Sequence, residues 1–191
     1  MNMTQILRPA ITMMVLFTLL LGLGYPLAMT GIAQAAFGWQ ANGSRIVVDG
    51  KLVGSDLIGQ NFASDRYFWP RPSATADQPY NGGASAGTNL GPTSAKLKGM
   101  VATEIARLRA AGLTEVPADA ATFSGSGLDP HVSPDFAAAQ VARVARARGI
   151  AEADVAEVVQ GVTEDRQFGI FGEPRVNVLR LNMALDAIKT P

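Results

Sequence analysis

The chain has 191 residues, with 16 Lys plus Arg against 16 Asp plus Glu, one His and no Cys. Balanced charge excludes the basic field that draws in nucleic acid, and the absence of thiols excludes disulfides and thiolate metal sites. A single His without an acidic cluster around it argues against a zinc site.

No charged residue occurs between Pro9 and Ser44, and within that run Ala10 to Met29 reads AITMMVLFTLLLGLGYPLAM. At about 1.5 Å per residue a helix of this length spans roughly 30 Å, the hydrocarbon thickness of a bilayer. Residues 1–9 are read as a short N-terminal tail, 10–36 as a transmembrane anchor helix with its outer extension, and 37–191 as an extracytoplasmic soluble domain. A cleavable signal peptide is the competing reading, with Arg8 as its basic region and Ala33-Gln34-Ala35 as its cleavage site. The apolar run exceeds the roughly 7–15 residues usual for such a segment, which favours a retained anchor. Tyr25, Phe37 and Trp39 are placed to sit at the outer interface. Arg8 precedes the span and Arg45 is the first charge after it, so the charge bias puts the N terminus inside and the domain outside.

Arg45 to Ser55 reads as a β-hairpin turning at Asp49-Gly50, a pair that accepts the positive φ of a type I′ turn. Tyr67-Phe68-Trp69 is an aromatic cluster stopped by Pro70 and Pro72, expected in the core or at a strand edge. Ser73 to Thr93 is a long irregular stretch, and such loops are usually functional or disordered. A helix follows, capped by Ser94, with Leu97, Val101, Ile105 and Leu108 at helical spacing and Gly112 as its stop. Pro117 to Phe123 fits a turn and a short strand. A second glycine-rich loop, Ser124 to Val132, leads to a helix marked by Ser133 as N-cap and Pro134 in its first turn, ending at Gly149. Arg143, Arg146 and Arg148 crowd the end of that helix, where cations are favoured, and are expected to be solvated. Glu152 to Val162 is a third helix, with Val155, Val158, Val159 and Val162 as its stripe. Val176 to Leu181 reads as a strand, and Asn182 as the cap of a last helix, Met183 to Lys189. This order of elements argues a small mixed α/β (α+β) domain behind the single helix.

Phosphate-binding loops need a lysine directly after the glycines, and Gly82 to Gly87 lacks one, so Gly83, Ser85 and Gly87 are weak nucleotide candidates. His131 is the only base available to a nucleophile, with Asp129, Ser126 and Ser133 nearby in sequence. Triad members come from separate elements, so this spacing favours a histidine bonded within its turn. Glu173-Pro174-Arg175 reads as a turn with a surface ion pair. No catalytic residue and no metal ligand is assigned, which points to an accessory or partner-binding role.

Several stretches, taken together, resemble a known family. They are Arg8-Pro9-Ala10 opening the anchor, GSDLIGQNF (54–62), YFWPRPS (67–73), NLGPT (89–93), SGSGLDPHVSP (124–134) and GEPRVNVLRLNMALD (172–186). In this order behind one anchor they are similar to the C subunit of the bacterial Kdp potassium-transporting P-type ATPase. The resemblance implies a non-catalytic subunit without a cofactor of its own, in a complex that handles ATP and potassium. Its implied partners are a channel-like potassium-binding subunit, an ATP-hydrolysing pump subunit, a small membrane peptide and the lipid bilayer. The family is also described as a catalytic chaperone that raises the pump subunit's affinity for ATP. On this reading the contact loops are 81–93 and 124–134, with Asn89, Gly91, Pro92, Ser126, Gly127, Asp129, His131, Glu173 and Arg175 as candidate contact residues. The alternative is an independent membrane-anchored envelope hydrolase using His131 with Ser126 or Ser133.

Overall fold

The computed structural model describes residues 3–188. The chain divides into two units, one ending at Arg45 and the other beginning at Ile46.

The first unit is built on one continuous apolar helix, Met3–Ala36, of 34 residues, with a mean hydropathy of 2.0 in its most apolar window. It comprises α1 (Met3–Phe17), a π-helical segment (Thr18–Gly24) and α2 (Tyr25–Ala36). Its length of about 50 Å exceeds the roughly 30 Å that a bilayer core requires, and the helix begins seven residues before Ala10. In the π-helical segment, which contains Gly22 and Gly24, Tyr25 N–H bonds to the Leu20 carbonyl five residues back, and Pro26, next in the chain, has no N–H to donate. A short helix, α3 (Gly38–Ala41), follows, and the Trp39 indole N–H donates to the Arg45 carbonyl at 3.1 Å.

The hairpin β1 (Arg45–Val48) and β2 (Lys51–Ser55), which lies in the second unit from Ile46 on, turns through Asp49 at φ 50° and Gly50 at φ 75° as a type I′ turn requires. After a long irregular passage come α4 (Ala95–Ala110), α5 (Ala118–Ala121), β3 (His131–Val132), α6 (Pro134–Arg148), α7 (Glu152–Val162), β4 (Thr163–Glu164), β5 (Arg175–Asn177) and α8 (Val178–Ala187). The caps work as their chemistry demands. The Ser133 hydroxyl accepts the Phe136 N–H at 3.0 Å, and Gly149 ends α6 in the left-handed region at φ 71°. Ser94 accepts the Leu97 N–H in the same way. The chain is thus a single N-terminal membrane-spanning helix followed by a mixed α/β soluble domain.

β3, β5 and β4 form an antiparallel sheet in the order β3-β5-β4, with His131 opposite Asn177 and Thr163 opposite Val176. The helices pack against it through Phe136, Val144, Val155, Leu181 and Leu185, each at most 1% exposed, and Leu108 of α4 joins the same core. Burying side chains of this size contributes about 1.5–3 kcal/mol apiece.

Four expectations are corrected here. Val176 to Leu181 is not a strand: pairing stops at Asn177, whose side-chain oxygen accepts the Arg180 N–H at 3.1 Å and starts α8 at Val178. Asn182 is therefore a buried mid-helix residue and not a cap, and Lys189 of the expected last helix lies outside the described residues. Pro117 to Phe123 holds the four-residue helix α5 in place of a strand; its Asp119 takes both the N–H and the hydroxyl of Ser133 at 2.8 Å. Arg143 and Arg148 are not solvated, with side chains 8% and 7% exposed.

Those arginines explain how segment 65–69, which buries Phe68 and Trp69, is held without regular structure. Arg143 donates to the carbonyls of Asp65 (2.8 Å) and Tyr67 (3.0 Å), and Arg148 to that of Arg66 (2.7 Å). The Asn182 amide takes the N–H and C=O of Phe68, and the Gln140 amide those of Trp69. Five successive carbonyls thus find side-chain donors where a sheet would use a neighbouring strand. The Arg143 Nε is buried without a hydrogen-bond partner, and the guanidinium lies over the Trp69 ring at 3.7 Å, which keeps the cation in favourable contact. Burial lowers the Arg143 pKa to about 10, with Asp65 opposing and Arg107 reinforcing the shift.

Candidate partner-contact surface

The candidate residues fall on two loops that interlock and on a separate hairpin arm. The first loop, 73–93, follows the Pro70–Pro72 corner; the second, 124–130, leads into β3. Ser124 N–H donates to the Pro72 carbonyl at 3.2 Å and Ala86 N–H to the Ser126 carbonyl at 3.0 Å, so the loops run side by side. The Ser73 hydroxyl donates to the Gly127 carbonyl at 2.7 Å and itself accepts the Tyr80 N–H at 3.0 Å.

Glycine is required at two of these crossings. A Cβ on Gly87 would lie 2.7 Å from the Gly125 carbonyl oxygen. Gly127 has φ +68°, and a Cβ there would lie 2.6 Å from Thr75 and 2.8 Å from the Ala86 carbonyl oxygen.

Asp129 is the electrostatic centre of the pair. It accepts from the Arg71 guanidinium at 2.9 Å and from the His131 N–H at 3.0 Å, with the imidazole Nδ1 3.7 Å away. Burial alone would raise its pKa, but the His131 bonds and the Arg71 charge together hold the carboxyl below the usual range. The Tyr80 hydroxyl donates to the Arg71 carbonyl, and burial beside Asp129 raises the phenol's pKa despite Arg71. Arg71 and Tyr80 also line a cleft of about 280 Å³ with Trp69 and Arg107, whose guanidinium pairs with Glu104 at 2.8 Å.

The nucleotide candidates are engaged within this assembly. Gly83 N–H donates to the Asn81 side chain at 3.0 Å and the Ser85 hydroxyl to the Ser126 carbonyl at 3.0 Å, while Gly87 abuts Gly125. Asn89, Gly91 and Pro92 are exposed on the outer end of the first loop; Asn89 has φ 53°, and the Gly91 carbonyl accepts the Ser94 N–H at 3.0 Å as α4 begins. Ser126 and Ser133 do not engage His131: the Ser126 hydroxyl accepts the Leu128 N–H and the Ser133 hydroxyl donates to Asp119. Nothing in this arrangement supports the hydrolase alternative.

Glu173 lies on the arm between β4 and β5, and Arg175 opens β5 at its base. Glu173 meets Arg166, while Arg175 meets Glu164 at 3.0 Å. Arg180 joins Glu164 and grips the Asp56 carboxylate with two nitrogens, and Asn177 donates to the Asp56 carbonyl at 2.8 Å. Among the described residues no group of three or more His, Cys, Asp or Glu is placed to hold a metal ion. Sequence reasoning passed over Arg71 and Tyr80, whose partners lie up to 58 residues away. It also passed over the tip of the arm, where apolar residues between Gly169 and Gly172 were a usable signal.

Comparison with known proteins places the chain by sequence. Residues 7–187 match the family KdpC, described as "K+-transporting ATPase, c chain". A potassium-transporting ATPase KdpC subunit of Allorhizobium ampelinum is 59% identical over 182 residues, covering 95% of each chain. The protein of the same description from Dechloromonas aromatica is 53% identical over 189 residues, covering 97% of this chain and 99% of its own. One from Sorangium cellulosum is 55% identical over 186 residues, covering 96% of this chain and 98% of its own.

Proposed function

The chain belongs to the KdpC family, the c chain of K+-transporting ATPases, as a subunit without a catalytic centre of its own, and we propose that it is the accessory and assembly subunit of an ATP-driven potassium import complex. In this reading it stabilises a channel-like potassium-binding subunit and an ATP-hydrolysing pump subunit against each other, with a small membrane peptide as a further partner. Its N terminus is cytoplasmic and its soluble domain extracytoplasmic, following the Arg8 and Arg45 bias across an otherwise uncharged span. The surface offered to partners is the interlocked loop pair, presenting Asn89, Gly91 and Pro92 from one loop and Ser126, Asp129 and His131 from the other, with Gly127 buried at the crossing that shapes them, Glu173 on the arm and Arg175 at its base.

The observation that carries the proposal is the family match over residues 7–187, on a chain whose polar network around Asp129 serves loop shape and not a reacting atom. An effect on the pump's ATP affinity then travels through the complex, because an outer domain and cytoplasmic ATP never meet. Such coupling requires the subunit to bind two pump states unequally. Deleting residues 45–191 while keeping the anchor tests the role. The expected result is loss of growth at low external potassium; growth equal to that of the intact strain rejects the proposal.

A further inference from the structure

We infer that the arm joining β4 to β5 carries a docking tip for an apolar pocket on a protein partner in the transport complex; this rests on the subunit role proposed above. The arm is a built element. Gln167 and Phe171 exchange both backbone hydrogen bonds at 2.9 Å, Gly169 N–H donates to the Arg166 carbonyl at 3.0 Å, and Ile170 N–H to the Gln167 carbonyl at 3.1 Å. The turn passes through Phe168 at φ 54° and Gly169 at φ 73°. Holding a phenylalanine in the left-handed region costs free energy, and such positions cluster where a side chain must be presented in one orientation. The tip exposes Phe168 by 92%, Ile170 by 72% and Phe171 by 64%.

The charges behind the tip select the occupant. Arg166 is paired with Glu173, Arg175 with Glu164, and Arg180 with Glu164 and Asp56. A tip built for a lipid surface leaves cations free to meet anionic headgroups. Here three apolar side chains project past a ring in which Arg166, Arg175 and Arg180 are each held by a carboxylate, and exposed Asp165 adds a further negative charge. This disfavours an anionic headgroup layer and complements a protein pocket that is apolar inside and has no negative charge at its rim. The pinned turn also reduces the ordering cost of insertion, and a bulky anchor seated in a closed pocket is the arrangement that dominates protein interfaces.

The test places a photo-crosslinking benzoylphenylalanine at position 168 of the full-length chain, purifies the assembled complex in mild detergent, irradiates it and identifies the adduct by mass. The expected product is a covalent adduct with another protein subunit. The paired substitution Phe168→Asn and Ile170→Asp, which keeps a residue tolerant of positive φ, is expected to lower co-purification of that subunit on the order of tenfold at unchanged thermal stability. Adducts with lipid, adducts within this chain alone, or no adduct in a complex that contains the other subunits would overturn the docking tip while leaving the subunit role standing. Failure of the unmodified chain to co-purify with any transport subunit overturns the subunit role itself.

Discussion

Asn182 completes the backbone of Phe68 as a neighbouring strand would: its Oδ1 accepts the Phe68 N–H at 2.8 Å and its Nδ2 donates to the Phe68 carbonyl at 3.1 Å. Both residues are buried, so neither backbone group has water as an alternative. Asn182→Leu keeps the volume and removes both bonds. Two orphaned groups at about 1–3 kcal/mol each predict a loss of roughly 2–6 kcal/mol. In a domain of this size that lowers Tm by on the order of 5–20 °C, to be read from a thermal melt of the whole chain in detergent. An unchanged melt would show that segment 65–69 is held by something else.

Arg143 makes the same point with charge. Its planar fork reaches two carbonyls and the Gln140 side chain while its face lies on Trp69. Arg143→Lys keeps the charge but cannot span these partners, so it is expected to destabilise by about 1–3 kcal/mol. Urea unfolding of the two proteins checks it, and equal midpoints would contradict the geometric requirement.

The loop crossing predicts an asymmetry between two glycines that touch. Gly87→Ala pushes a methyl into the Gly125 backbone, whereas Gly125→Ala points its methyl into open space. The first is expected to cost about 1–3 kcal/mol and to open residues 73–91 to protease, and the second to be nearly neutral. Similar cleavage of both variants under limited proteolysis would sink the prediction.

Asp129 sets the acid response of the loop pair. Its folded-state pKa lies below the unfolded value of about 3.8, so over that interval the unfolded chain binds more protons. Its contribution is therefore fully present above about pH 4 and is lost as pH falls through the folded-state value. The drop in Tm between pH 7 and about pH 3 should be smaller in Asp129→Asn than in the unaltered chain. An identical drop would remove Asp129 from the account.

The legible parts of the molecule are those whose signals are local. Ser94, Ser133 and Gly149 mark their helix ends by cap chemistry, Asp49-Gly50 marks its turn, and the four valines of α7 mark its face. The 175–187 stretch misleads because Val176, Val178 and Leu181 suit a strand by composition. Asn177 is the cue that separates β5 from α8, and the choice of Asn182 as cap displaced the boundary by several residues. The burial of Arg143 and Arg148 could not be read from α6, since their partners lie on a segment about 80 residues earlier. The joining of Arg71 to Asp129 is likewise a tertiary fact without a sequence period.

The most direct test of the central claim is co-purification. The full-length chain, tagged after Pro191, is extracted in mild detergent from membranes that express a potassium-transporting P-type ATPase, and its companions are identified by mass. The account predicts recovery of the ATP-hydrolysing pump subunit together with a multi-span potassium-binding subunit. Recovery of the chain alone from such membranes would contradict it.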